Sequence, residues 1–240
     1  MLDHLKIGNI LFLDIETVPA FPSYEEVPEN VKLFWEKKAN YLKKEGETPK
    51  ELYNKAGIYA EFGKIICIST GMIGIQDDKR LFRIKSFYAE DEHTLLADFA
   101  DLVTRISQKR EIDLCAHNGK EFDFPFIARR MLIQGVTLPA LFEVAGKRPW
   151  EVRHLDTMEL WKFGDHKHYT SLDLLTALLG IQSPKSDIDG SQVAEVYWKE
   201  HDLKRIVEYC RRDVVAIAQL LLKYKGENLL NTADIIVLDS

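Results

Sequence analysis

The segment Ile10-Leu11-Phe12-Leu13-Asp14-Ile15-Glu16-Thr17 sets two carboxylates, one residue apart, at the end of an apolar run. A run of this kind bounded by Pro19 reads as a buried strand over about 9 to 15, and two-residue alternation sends Asp14 and Glu16 to one face. Two carboxylates aimed at one point repel each other unless a cation or a shared proton lies between them. The pair is therefore a metal-site candidate. With 38 acidic residues in 240, an Asp-x-Glu spacing arises about once by chance. The pair gains meaning only from its strand and from partners further along the chain.

At 46% hydrophobic residues the chain can bury a full core, and residues 1–240 read as one domain. No stretch approaches the roughly 20 apolar residues of a membrane span. The start, Met1-Leu2-Asp3-His4-Leu5-Lys6, lacks a basic region followed by an apolar one, so a cytoplasmic address and no membrane partner are expected. Cys67, Cys115 and Cys210 are far apart and form no C-x-x-C pair, which favours reduced, packed thiols. The net charge of −6 opposes nonspecific phosphate binding. A nucleic-acid ligand would need divalent cations and a local basic patch to offset that repulsion.

Periodicity predicts strands near 9 to 15, 64 to 75, 80 to 88, 112 to 117 and 152 to 156. Helices are predicted near 91 to 108, 123 to 134, 157 to 162, 170 to 179, 190 to 199 and 202 to 225. Three antiparallel strands followed by alternating helix and strand imply an α/β fold with a mixed five-stranded sheet flanked by helices. Between the first two strands lies a polar insertion, about 19 to 62. Its middle carries helical spacing through Val31, Phe34, Trp35, Lys38 and Leu42 and reads as a helical flap, either a solvated decoration or a lid over substrate.

Two further stretches supply partners for the first pair. In Cys115-Ala116-His117-Asn118-Gly119-Lys120-Glu121-Phe122-Asp123-Phe124-Pro125, a strand ends, Asn118-Gly119 turns the chain, and Pro125 suits the first turn of a helix. Asp123 then stands at that helix's N-terminus, where a capping role competes with a ligating one. In the helix from Asp202, Tyr209 and Asp213 are four apart and share a face beside the stripe of Ile206, Cys210, Val214, Ile217 and Leu221. An Asp beside a buried stripe calls for a cation.

These stretches resemble the three motifs of the DEDD superfamily of 3′→5′ exonucleases, in its tyrosine (DEDDy) form. Asp14-x-Glu16 matches the first motif, His117-Asn118-Gly119-x-x-Phe122-Asp123 the second, and Tyr209-x-x-x-Asp213 the third. The chain is most similar to predicted exonucleases related to the proofreading domain of family-B DNA polymerases. The long insertion after the first motif departs from minimal members. The resemblance implies a ribonuclease H-like fold and a metal-dependent 3′→5′ exonuclease acting on DNA, most readily on single-stranded or frayed 3′ ends. RNA is the alternative substrate, and a catalytically silent nucleic-acid-binding domain the alternative class.

The resemblance also implies roles. Two divalent ions, Mg2+ or Mn2+, about 3.5–4 Å apart would activate water and neutralise charge on the attacking and leaving oxygens. Asp14 would bridge both, Glu16 and Asp213 would complete the ion that activates water, and Asp123 would hold the second. Tyr209 would orient the attacking water. Backbone groups around Ile15 and Thr17, with His117, Asn118 and Phe122, are candidates for gripping the terminal nucleotide, though Phe122 is equally a core candidate. Lys120, Arg129, Arg130, Lys147, Arg148, Lys167 and Lys185 are candidates for tracking the backbone, against the alternative of a solvated surface. Asp156 reads as a helix cap, and His166 and His168 as parts of a polar loop or as metal ligands. Protein partners are not indicated.

Overall fold

The computed structural model describes residues 2–77, 79–165, 169–181 and 187–238. The apolar run forms β1 (Ile10–Pro19), paired antiparallel with β2 (Gly63–Gln76), which pairs antiparallel with β3 (Lys79–Phe87). On the other side of β1 lie β4 (Asp113–Ala116) and β5 (Leu155–Asp156), both running parallel. A sixth strand, β6 (Ile235–Leu238), lies parallel to β3 and ends the order β5-β4-β1-β2-β3-β6. The α/β, ribonuclease H-like expectation holds, with six strands among the described residues in place of five.

Alternation along β1 divides the core. Leu11, Leu13 and Ile15 face α2 (Glu92–Lys109) and α3 (Asp123–Gln134), in a cluster with Leu95, Phe99, Ile127 and Met131. Ile10 and Phe12 face the opposite way, onto Val214, Ile217 and Leu221 of α7 (Leu203–Lys225). Asp14 and Glu16 continue the Ile10–Phe12 series, so the strand's own period aims them at α7. Helix α7 starts at Asp202, whose carboxylate accepts the Arg205 N–H at 3.1 Å, and stops at Gly226 in the left-handed region.

The insertion builds its own small core on α1 (Glu29–Leu42), where Trp35 and Ala39 are fully buried beside Val27, Leu52, Tyr53 and Ala56. The Trp35 indole donates to the Pro49 carbonyl at 2.8 Å and meets the rings of Phe62 and Tyr53 edge-on. The Ala20 N–H donates to the Phe62 carbonyl at 2.9 Å, closing the insertion's two ends beside each other. A Cβ on Gly63 would stand 2.7 Å from the Gly57 carbonyl oxygen, so this closure needs glycine there. The expected helical flap is thus a fastened subunit of the fold.

Two short helices, α4 (Thr157–Lys162) and α5 (Leu172–Leu178), follow β5. The helix expected over 190 to 199 is broken: α6 (Val193–Glu195) passes into a π-helical turn, Val196–Glu200, ending at His201 with φ +57°. No described helix is long and apolar enough to cross a membrane.

Candidate active site

Strand β1 carries Asp14 and Glu16 within its ladder with β2, opposite Ser69 and Cys67, and then meets an irregularity. Glu16 opposes Cys67 and Thr17 opposes Ile65, so Ile66 is an extra residue in β2. A bulge of this kind bends the strand and re-aims side chains, here directly after Glu16. Asp123 enters from the first turn of α3, and Tyr209 and Asp213 from successive turns of α7.

Burial raises the proton affinity of all four carboxylates, and the charge of neighbouring carboxylates adds to it. Asp14 is lifted well above the ordinary range first by burial, then by the charges of Asp213, Glu16 and Asp123. Glu16, only 7% exposed, is lifted by burial, then by Asp213, Cys67 and Asp123. Burial pushes Asp123 up to about 7; N–H groups of Asp123 itself and of Ile15 counteract it, while Asp156 and Asp213 add to the rise. Asp213 also rises to about 7, through burial and the charge of Asp173, against the lowering hydrogen bond from the Tyr209 hydroxyl and the charge of Arg212. Burial and the charges of Asp213, Glu16 and Asp14 push the Tyr209 phenol far up, so it stays protonated. Asp123 does not serve as the cap of α3: the capping position is Phe122, whose side chain makes no cap bond.

The carboxylates therefore sense one another across three elements of the fold. Asp14 Oδ2 is buried and has no hydrogen-bond partner among the described residues. An orphaned anionic oxygen among like charges is the condition a divalent cation relieves. The donor set of carboxylate oxygens fits Mg2+ or Mn2+. Ligand atoms of Asp14, Glu16 and Cys210 lie within 4.8 Å of one another. The Cys210 thiol, held protonated chiefly by burial, donates to the Asp14 backbone carbonyl at 3.4 Å and so fastens α7 to β1.

The second stretch builds the rim. Asn118 takes φ +61°, which Asn tolerates, and Gly119 follows where a Cβ would stand 2.4 Å from Ala116 Cβ. The Asn118 side-chain Oδ1 is buried without a partner among the described residues. His117 is engaged at both ring nitrogens, with Thr157 Oγ1 and the Thr170 carbonyl each at 2.9 Å. The carbonyl can only accept, so Nε2 carries the proton and Nδ1 accepts from Thr157. His117 thus ties the loop at Thr170 to the end of β4. Phe122 is half-buried against Phe126, its ring centroid 5.4 Å away, at the edge of the core. Ile15 is buried and Thr17 half-buried.

Asp156 caps α4 as expected, accepting N–H groups of Met158 and Glu159, and it also accepts those of Asn118 and Lys120. That second task, and the charge of Asp173 beside Asp213, carried no signal in spacing. Arg130 corrects the backbone-track reading: it is buried and paired with Glu92 at 2.5 Å. Lys120 is paired with Glu159 at 2.6 Å. Arg129, Lys147 and Arg148 are exposed. Lys167, Lys185, His166 and His168 lie outside the described residues.

Residues 58–229 match the family model described as "Predicted 3'-5' exonuclease related to the exonuclease domain of PolB". The matched segment contains Asp123, Tyr209 and Asp213 and begins after Asp14 and Glu16. Among curated proteins no match is found. A similar solved structure is the family B DNA polymerase from the hyperthermophilic archaeon Pyrobaculum calidifontis, at 19% identity and a TM-score of 0.49. The likeness covers 90% of this chain and 24% of the polymerase, so the chain spans about a quarter of that protein's length. Since the family match takes in well over half of the sequence, the chain belongs to the predicted 3′→5′ exonucleases related to the exonuclease domain of PolB.

Proposed function

We propose that this protein is a 3′→5′ exonuclease that removes nucleotides from DNA, preferring single-stranded or frayed 3′ ends, with two Mg2+ or Mn2+ ions. The observation that supports it most is the mutual charge coupling of Asp14, Glu16, Asp123 and Asp213 around the orphaned Asp14 Oδ2. When bound, such ions supply a strong nucleophile at neutral pH and neutralise charge on the attacking and leaving oxygens.

The chain's own residues do the rest. Asp14, Glu16, Asp123 and Asp213 would hold the ions through their carboxylate oxygens, with Asp14 at the centre of the set and Glu16 and Asp213 on the side where water is activated. Tyr209 keeps its proton, so it positions the attacking water through its hydroxyl and does not act as a base. Asn118 Oδ1, without a partner among the described residues, accepts from the terminal sugar, and Phe122 offers a face to its base. His117 acts indirectly in this reading, by holding the rim through Thr157 and Thr170. Backbone groups at Ile15 and Thr17 border the terminal nucleotide. Residues 1–240 act as a single domain with its insertion at 19–62, in the cytoplasm.

The test uses 5′-labelled single-stranded DNA and RNA of one sequence, with Mg2+ or Mn2+ and with chelator. A ladder shortening from the 3′ end of DNA, abolished by chelator, is the expected result. Shortening of RNA alone would transfer the site to RNA, and binding without shortening would leave a silent nucleic-acid-binding domain.

A further inference from the structure

One face of α1 remains unused by the insertion's core. Phe34 is 63% exposed, Tyr41 91% and Leu33 58%, while Trp35 and Ala39 on the opposite face are fully buried. Phe34, Lys37 and Tyr41 follow at i, i+3 and i+7, so they lie in one row. The Lys37 ammonium lies 5.6 Å from the centre of the Phe34 ring, and Lys38 lies 4.3 Å from that of Tyr59. Lys32 and Lys50 are paired with Glu29 and Glu25, but Lys37, Lys38, Lys43 and Lys44 have no ion pair among the described residues. In a chain of net charge −6, the row of Phe34, Lys37 and Tyr41 sets a cation between two exposed rings, with Glu45 and Glu47 beyond it past the end of the helix.

We propose that this face of α1 is a docking platform for the single-stranded part of a nucleic-acid substrate, upstream of the 3′ end held at the carboxylates. The inference rests on the exonuclease reading and extends it to the substrate's length. Rings interleaved with cations are what a sequence-tolerant strand platform needs, because every base has a face to stack and every link a phosphate to neutralise. Phe34 and Tyr41 are about 10 Å apart along the helix, a span of about three stacked nucleotides. Lysine is depleted at protein–protein interface cores, which argues against a protein partner on a face that alternates Lys with aromatic residues. The platform also hangs from the right end of β1: the insertion leaves the strand at Pro19, three residues beyond Glu16, and is closed there by the Ala20–Phe62 hydrogen bond.

The experiment compares the full chain with the double variants Phe34→Ala/Tyr41→Ala and Lys37→Gln/Lys44→Gln. Binding of 5′-fluorescent single-stranded DNA of about 20 nucleotides is followed by anisotropy in chelator, and shortening of that strand and of a trinucleotide is followed in Mn2+. The aromatic variant is expected to bind the long strand at least about tenfold more weakly. The lysine variant is expected to flatten the plot of log affinity against log salt by about 0.7 per lysine removed. Turnover of the trinucleotide stays at the parent value in both. Unchanged long-strand affinity in both variants overturns the platform while leaving the exonuclease reading intact. Variant-sensitive binding by a parent protein that never shortens DNA upholds the platform and overturns the exonuclease. Loss of binding to phosphatidylserine vesicles, with long-strand affinity preserved, reassigns the face to lipid and overturns the proposal.

Discussion

The carboxylate of Asp156 accepts the backbone N–H of Asn118 at 2.9 Å, joining the first residue of one turn to the cap of a helix nearly forty positions later. The same side chain takes the N–H groups of Lys120 at 3.1 Å, Met158 at 2.9 Å and Glu159 at 3.2 Å. It is only 3% exposed, so removing it leaves four donors in a place water reaches poorly. Asp156→Ala is expected to lose about 3 kcal/mol or more of stability, and Asp156→Asn less, because an amide oxygen keeps part of the acceptor set. Urea denaturation of both variants measures this, and an Asp156→Ala midpoint equal to that of the parent would refute the clamp.

The carboxylate cluster makes stability depend on pH and on metal together. Asp123 and Asp213 are raised to about 7 in the fold, above the ordinary value of 3.8. The folded protein therefore holds protons that the unfolded chain has released, and between those two values stability falls as pH rises. The contribution is complete below about 4 and lost by about 7. Without divalent ions, the melting temperature should drop as pH goes from about 5 to about 8, and Mn2+ should restore it most at the higher pH. Asp213→Asn should weaken both effects. A metal-free melting curve that is flat across this range, with no response to Mn2+, would contradict the cluster.

Arg130 and Glu92 form a buried pair that serves the fold. Arg130 donates to both Glu92 oxygens and, at 2.8 Å, to the Ala60 carbonyl; Glu92 also accepts the Ile65 N–H at 2.7 Å and Gln134 Nε2 at 2.8 Å. The pair thus joins α2 and α3 to the start of β2. Removing one member strands the other, so Arg130→Met should cost about 3–5 kcal/mol. Its salt dependence of DNA binding should match that of the parent, since this guanidinium meets no phosphate. A flatter salt dependence in Arg130→Met would return Arg130 to the substrate.

What could be read in the sequence follows from the range of the forces involved. The face of Asp14 and Glu16 is a matter of two-residue alternation, and the partnership of Tyr209 with Asp213 a matter of one helical turn; both are local and were legible. The aromatic and apolar spacing around Trp35 likewise marked α1. Strand β6 was missed because four residues, half-exposed at a sheet edge, show neither alternation nor a long apolar run. The bulge at Ile66 depends on how β2 meets β1, and the burial of Arg130 on a carboxylate 38 positions away. Neither leaves a trace in its own neighbourhood. The helix expected over 190 to 199 failed for a related reason: its spacing suits a helix, but the chain turns at His201 to enter α7.

Tyr209 offers the sharpest separation between positioning and ligation. Its hydroxyl hydrogen-bonds to Asp213, and burial with the surrounding carboxylates keeps the phenol protonated far above neutral pH. Tyr209→Phe removes one hydrogen-bonding group and no charge, so turnover should fall about ten- to a hundredfold while Mn2+ still stabilises the fold. Asp14→Asn removes a charge at the centre of the cluster and should abolish turnover together with most of the Mn2+ response. The pH profile of the Phe variant should keep the parent's shape, because the lost hydroxyl titrates nowhere near the working range. Single-turnover rates with Mn2+ across pH, set beside melting curves of the same samples, give both quantities. A Phe variant that loses a limb of the pH profile would make Tyr209 a proton-transferring group and end its role as a positioning one.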